Sequence, residues 1–167
     1  MEVLLRNASD AEVRDAKGSD WYNTIEVVQP ERKLLEDAIV KVTDGVEYRL
    51  DEDDVVASLS FGFWRGLLDR RRYQSRFWPV LTDAFKYMPA GRTPNHADFE
   101  ESVTILNQLR NDVSHHELIF DQPLELSIKH LNPVASAICP KTQKWMAARS
   151  RVEDLLRNAD PRAIRRG

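Results

Sequence analysis

Apolar residues along this chain recur at helical rather than strand spacing. In "EVLLRNASDAEVRDAKG", Val3, Leu4, Ala8, Ala11 and Val13 fall near helical register, and Gly18 offers a stop. "SDWYN" reads as a loop with two aromatics. "PERKLLEDAIVKV" places Pro30 in a first turn, followed by Glu31 at the positive end of the helix dipole. "TDGVEYRL" reads as a turn with a short extended piece. Asp51 or Asp53 then caps one helix, "DVVASLSFGFWRGLLDRRR", whose Val55, Val56, Leu59, Phe61, Phe63, Trp64, Leu67 and Leu68 mark it as central to the core. "SRFWPVLTDAF" is a shorter helix capped by Ser75, with Pro79 tolerated in its first turns. A loop, "KYMPAGRTPN", leads to the long helix "HADFEESVTILNQLRNDVSHHE". Asn132 and Pro133 form a cap and first-turn pair opening "PVASAI", Pro140 opens "PKTQKWMAAR", and Ser150 caps "RVEDLLRN". Period-2 alternation is scarce and glycines number six, so the expected class is all-α. The pattern predicts one domain over 1–160 and a flexible tail over 161–167.

Composition narrows this reading without redirecting it. The 167 residues suffice to bury a core. With 31% charged and 42% hydrophobic residues the chain resembles ordinary soluble domains. A net charge of -3 means that any nucleic-acid site must be a local patch. Cys139 is the single cysteine, which excludes an intramolecular disulfide and a multi-cysteine zinc site. No apolar run approaches the roughly 20 residues that span a bilayer, and the opening is too charged for a signal peptide. The expectation is a cytoplasmic protein.

Candidate chemistry concentrates in "LRNDVSHHELIF", Leu109 to Phe120. On a helical wheel Phe99, Val103, Leu106, Leu109 and Val113 form an apolar stripe, while Thr104, Asn107, Asn111 and His115 share a polar face. Arg110 projects within, or at the edge of, the apolar arc, where a buried guanidinium needs compensation. An ion pair with Glu117 or Asp112, or snorkelling to the surface, would supply it. The adjacent His115 and His116 point about 100° apart on a helix, so one can cap the last carbonyls while the other faces water. That same divergence makes joint ligation of one zinc ion poor, and no H-E-x-x-H pattern occurs. A third reading is acid–base work on a phosphate. Imidazole takes or gives a proton near neutral pH, an arginine stabilises charge at phosphorus, and RNA brings its own 2′-hydroxyl nucleophile.

Arg110-Asn111-Asp112-Val113-Ser114-His115 resembles the R-x4-6-H signature of the HEPN superfamily. The wider context is more specific: "LRNDVSHHELIF", "SLSFGFWRGLL", "EVLLRN" and "PKTQKW" together resemble the Abi-like group, associated with abortive infection of phage-infected bacteria. The resemblance covers nearly the whole chain. It implies an all-α bundle that dimerises, with two motif helices meeting in one composite cleft. That would answer a geometric difficulty, because Arg110 and His115 stand about 140° apart on a straight helix. By this resemblance His115 is the acid–base residue and Arg110 stabilises the phosphate. Asn111 and His116 assist in orientation and binding. The implied reaction is metal-independent RNA cleavage to a 2′,3′-cyclic phosphate and a 5′-hydroxyl, with no cofactor and no metal. The implied partners are RNA and a second copy of the chain, with an antitoxin or other partner protein a further candidate. Two departures stand out. Family members carry one or two helices before "EV-x-LRN", where this chain begins, and Ser114 occupies a position that is alanine in many relatives.

Arg65, Arg70, Arg71, Arg72 and Arg76 cluster in sequence with Tyr73, Phe77 and Trp78 interleaved. Phosphate attraction with base stacking would use such a set. Dipole-favoured arginines over core aromatics give the structural alternative. Arg6 and Asn7 sit on the first helix, where tying it to the motif helix competes with a catalytic role, and Glu117 is an auxiliary candidate. Against the ribonuclease reading stands a non-catalytic helical module that binds RNA or protein, in which the histidines are architecture.

Overall fold

A computed structural model describes residues 1–43, 52–88, 95–117, 119, 124–152 and 154–155. Among these residues the chain is all-α, with no strand. The first helix, α1 (Glu2–Lys17), buries Leu5, Ser9 and Val13 and stops where Gly18 takes a φ of 94°. A single turn, α2 (Trp21–Thr24), replaces the expected loop and buries both aromatics. Then come α3 (Glu31–Thr43) and α4 (Glu52–Ser58). Asp53 lies inside α4 rather than capping it, and Asp51 lies outside the described residues.

The long helix expected over residues 54–72 is three short ones: α4, α5 (Phe61–Leu67) and α6 (Arg70–Tyr73). Capping causes the breaks. Ser60 is extended, with ψ at 162°, and the Phe61 N–H is capped by the carboxylate of Glu2 at 3.0 Å. Asp69 is extended too and accepts from Arg72 N at 3.1 Å. Capping at both points outweighs the continuous apolar pattern. The next helix, α7 (Trp78–Leu81), starts later than Ser75 would allow and passes into a 3₁₀ turn over Thr82–Phe85.

The longest helix, α8 (His96–Ser114), is capped by Asn95, whose side chain accepts from Ala97 N. It packs against α5, α6 and α9 (Leu124–Ile138). Pro133 lies inside α9 instead of opening a helix. The last full helix, α10 (Pro140–Arg149), begins at the expected proline, and Ser150 Oγ accepts from Val152 N at 3.4 Å beyond it. The proposed tail over 161–167 lies outside the described residues. None of the described helices is long and apolar enough to cross a membrane.

Aromatic rings fill the core. Trp21, Phe63 and Trp64 meet with centroids 5.2–6.2 Å apart, and Phe85 packs on Phe99 at 4.1 Å. Into this core the fold inserts a carboxylate, Glu31, which is fully buried. It accepts from Arg72 Nη1 at 2.5 Å and from the Tyr73 hydroxyl at 3.1 Å. Gly66 makes room: a Cβ there would collide with the Glu31 carboxylate and its Cγ. Arg72 also grips Asp69 at 2.9 Å. Burial pushes the Asp69 carboxyl up, but its hydrogen bonds to Arg72 and the guanidinium charge outweigh this and hold it below the usual carboxylate range.

Gly66→Ala should therefore destabilise the fold by about 1–3 kcal/mol in chemical denaturation, because Arg72 and Tyr73 pin the side chain that must move. A second expectation follows from Asp69. A depressed folded-state pKa contributes stability that is present above the unfolded value and is lost as pH falls through the folded one. Asp69→Asn keeps a capping oxygen, so it should flatten the acid limb of the stability–pH curve; an unchanged limb would contradict this assignment.

Candidate functional site

Two of the four histidines are committed to architecture. His96 is buried, stacked on Trp78 at 4.2 Å, with Nε2 2.6 Å from the Leu68 carbonyl. His130 Nδ1 lies 2.9 Å from Ser102 Oγ and joins α9 to α8. The other two, His115 and His116, stand exposed at the end of α8. There the chain closes in a Schellman motif. His116 N donates to the Val113 carbonyl at 3.3 Å and Glu117 N to the Asp112 carbonyl at 2.9 Å, while His116 takes a φ of 56°. This six-to-one and five-to-two pairing satisfies carbonyls that the helix end would otherwise leave open. The adjacent histidines thus have a backbone explanation: His115 is the cap residue and His116 the left-handed residue that turns the chain. Among the described residues the His115 ring has no hydrogen-bond partner.

Arg110 emerges because α8 outruns the core. Along the predicted stripe Phe99, Val103 and Leu106 are buried, but Val113 is 52% exposed. Arg110 continues that arc with its side chain 43% exposed. The compensating partner is neither Glu117 nor Asp112. Asp112 is buried and accepts from Gln108 Nε2 at 2.6 Å, and the Glu117 side chain is exposed. Instead Arg110 Nε donates to Glu2 Oε2 at 2.9 Å, while Glu2 Oε1 accepts from Phe61 N. One carboxylate therefore joins α1, α5 and α8. Asn111 Oδ1 stands 3.4 Å from Arg110 Nη1, and Ser114 Oγ donates back to the Arg110 carbonyl at 2.8 Å.

Arg110 borders an open pocket of about 560 Å³ between α1, α3, α4 and α8, where Glu2, Lys41, Asp54, Ser58 and Ser60 also form the wall. Arg6 sits behind this wall: its Nη1 donates to the Ala57 carbonyl at 3.2 Å and its Nε to Asn7 Oδ1. It ties α1 to the end of α4, not to the motif helix. Glu2 carries that tie instead, and sequence reasoning passed over it, because an acidic first-turn residue is already accounted for by the helix dipole.

The arginine cluster lies elsewhere and is largely occupied. Arg72 is bound to Glu31 and Asp69, Arg76 to Glu26, and Arg70 to Glu100 at 3.4 Å. Tyr73 and Phe77 are buried, so their rings are core rather than stacking platforms. Arg65 and Arg71 show no ion pair among the described residues, and none of the five borders the Arg110 pocket. Among the described residues no group of three or more His, Cys, Asp or Glu side chains is arranged to hold a metal ion.

A non-glycine residue at positive φ is strained by about 1 kcal/mol. His116→Gly should therefore raise stability by about 0.5–1 kcal/mol, read as a higher midpoint in thermal or urea unfolding. His116→Val, β-branched at the same φ, should lower it. Compared with models of known protein families, with curated proteins and with solved structures, the chain matches none.

Proposed function

We propose that this chain is a HEPN-type endoribonuclease of the Abi-like kind, a cytoplasmic homodimer that cleaves RNA in phage defence or as a toxin. The observation that carries the reading is local. Arg110 lies near the C-terminal end of α8 and His115 is its cap residue; both are exposed, and the imidazole has no partner among the described residues. An arginine bordering an open pocket and an uncommitted histidine one turn away are the groups that phosphodiester cleavage requires.

The chemistry needs no nucleophile from the protein. The 2′-oxygen attacks phosphorus and its proton leaves to an imidazole acting as base. The P–O5′ bond breaks, and the departing 5′-oxygen takes a proton from an imidazole acting as acid. The products are a 2′,3′-cyclic phosphate and a 5′-hydroxyl. Arg110 offsets the negative charge that grows on the non-bridging oxygens. A straight helix aims Arg110 and His115 about 140° apart, so a twofold-related copy would bring His115 of one protomer toward Arg110 of the other. Asn111 and His116 would orient these groups.

The test assays a structured RNA in EDTA and measures mass by light scattering. His115→Ala should lower the cleavage rate by about 10²–10⁴-fold, and Arg110→Ala by about 10²–10³-fold, with a dimeric mass in solution. Cleavage that persists in both variants, or that depends on added metal, would sink the assignment. Salt-dependent RNA binding without turnover would turn the reading to a non-catalytic binding module.

A further inference from the structure

The pairing of Arg110 with Glu2 asks for a reason. Both side chains are partly exposed, at 43% and 29%, and ion pairs of that kind contribute little to stability. The geometry is more telling than the charge. Glu2 takes the guanidinium by its Nε edge at 2.9 Å. Among the described residues Nη2 has no acceptor, and Nη1 has only the long 3.4 Å contact to Asn111 Oδ1. A guanidinium offers five N–H groups in a fixed fork. Held at Nε, it keeps the Nη1–Nη2 edge, the edge that receives two oxygens of a phosphate in parallel.

The platform beneath Glu2 is held at several points. Its second oxygen is fixed by the Phe61 N–H at 3.0 Å, and α1 is fastened along its length. Leu5, Ser9 and Val13 are buried, Arg6 holds the Ala57 carbonyl, and Arg14 binds Asp10 and Asp53. The Trp21 indole N–H also donates to Asp10, at 2.9 Å. A carboxylate mounted in this way sets the direction of a side chain that otherwise has several rotatable bonds.

We propose that Glu2 is a positioning residue for phosphodiester cleavage, fixing the Arg110 guanidinium by its Nε edge so that its two terminal amino groups face the phosphate. This rests on the ribonuclease reading and adds to its machinery a residue from a different helix. Glu2 touches no reacting atom; it acts through Arg110.

Glu2→Gln separates this role from a structural one. The amide oxygen still accepts the Phe61 N–H, so the α1–α5 junction is kept, but the amide nitrogen cannot accept from Arg110 Nε. The expected result is a fall in kcat of about tenfold or more, with KM and melting temperature little changed. In an Arg110→Ala background the same substitution should have no further effect on kcat or on the affinity for an oligomer made uncleavable by 2′-deoxy substitution. The Arg110 Nε–H resonance, identified by its absence from Arg110→Ala, should shift in Glu2→Gln and gives a readout independent of turnover. An unchanged kcat, an equal loss with and without Arg110, or an unmoved resonance would each overturn the proposal while leaving the nuclease reading intact. Full cleavage by Arg110→Ala and His115→Ala would remove that reading, and this inference with it.

Discussion

A carboxylate with no solvent contact sits in the middle of the bundle, and the packing of α3 on α5 and α6 is arranged around it. One oxygen of Glu31, Oε2, accepts from Arg72 and Tyr73, while Oε1 has no hydrogen-bond partner among the described residues, and the network runs outward through the Gln29 carbonyl, the Val28 N–H and the Glu26–Arg76 pair. Residues 26–31 are thereby stitched to residues 72–76 by directional contacts rather than by apolar contact alone. Buried ion pairs often add little net stability, since desolvation consumes most of the attraction. Their geometric demand is strict, however, because neither partner tolerates the loss of the other. Gly66 shows that demand in the backbone, being the residue that leaves space for the carboxylate.

This network also determines which arginines are available. A run of arginines beside aromatic residues looks like a nucleic-acid groove, but three of the five spend their charge on carboxylates of the same chain. The polar residues at the end of α8 are arranged differently. There α8 is clamped by buried Phe99, Val103 and Leu106 and then projects past the core. The end of α8 carries Arg110 and Asn111, with His115 at its cap, beyond that buried stretch. A helix anchored at one end and exposed at the other is a precise way to present side chains, more so than a loop.

Much of the helical layout was legible in residue order. Gly18, Pro140 and the wide apolar stripe of α8 all signal their elements through strong local preferences. One break in the expected central helix comes from long-range satisfaction of a backbone group. Nothing near residue 60 announces that Glu2 will cap Phe61 and split the expected helix, because the donor and acceptor lie 59 residues apart in sequence. Pro133 after Asn132 suggests a helix start, whereas α9 continues through it and packs against α8 and α10. The geometry around the candidate residues was half legible. The oddness of Arg110 on an apolar arc correctly implied a compensating partner, but the wheel could only suggest neighbours on the same helix or just beyond it. The partner came from the far end of the chain, where wheel geometry has no reach.

Helix α10 buries none of its residues, packs on the bundle through α9, and shows Trp145 to solvent beneath the Arg149 guanidinium. Few apolar contacts hold it, so its detachment would cost far less than global unfolding. The described residues therefore fall into two tiers of persistence: a densely buried inner assembly, and an outer helix with no buried residue to hold it in place.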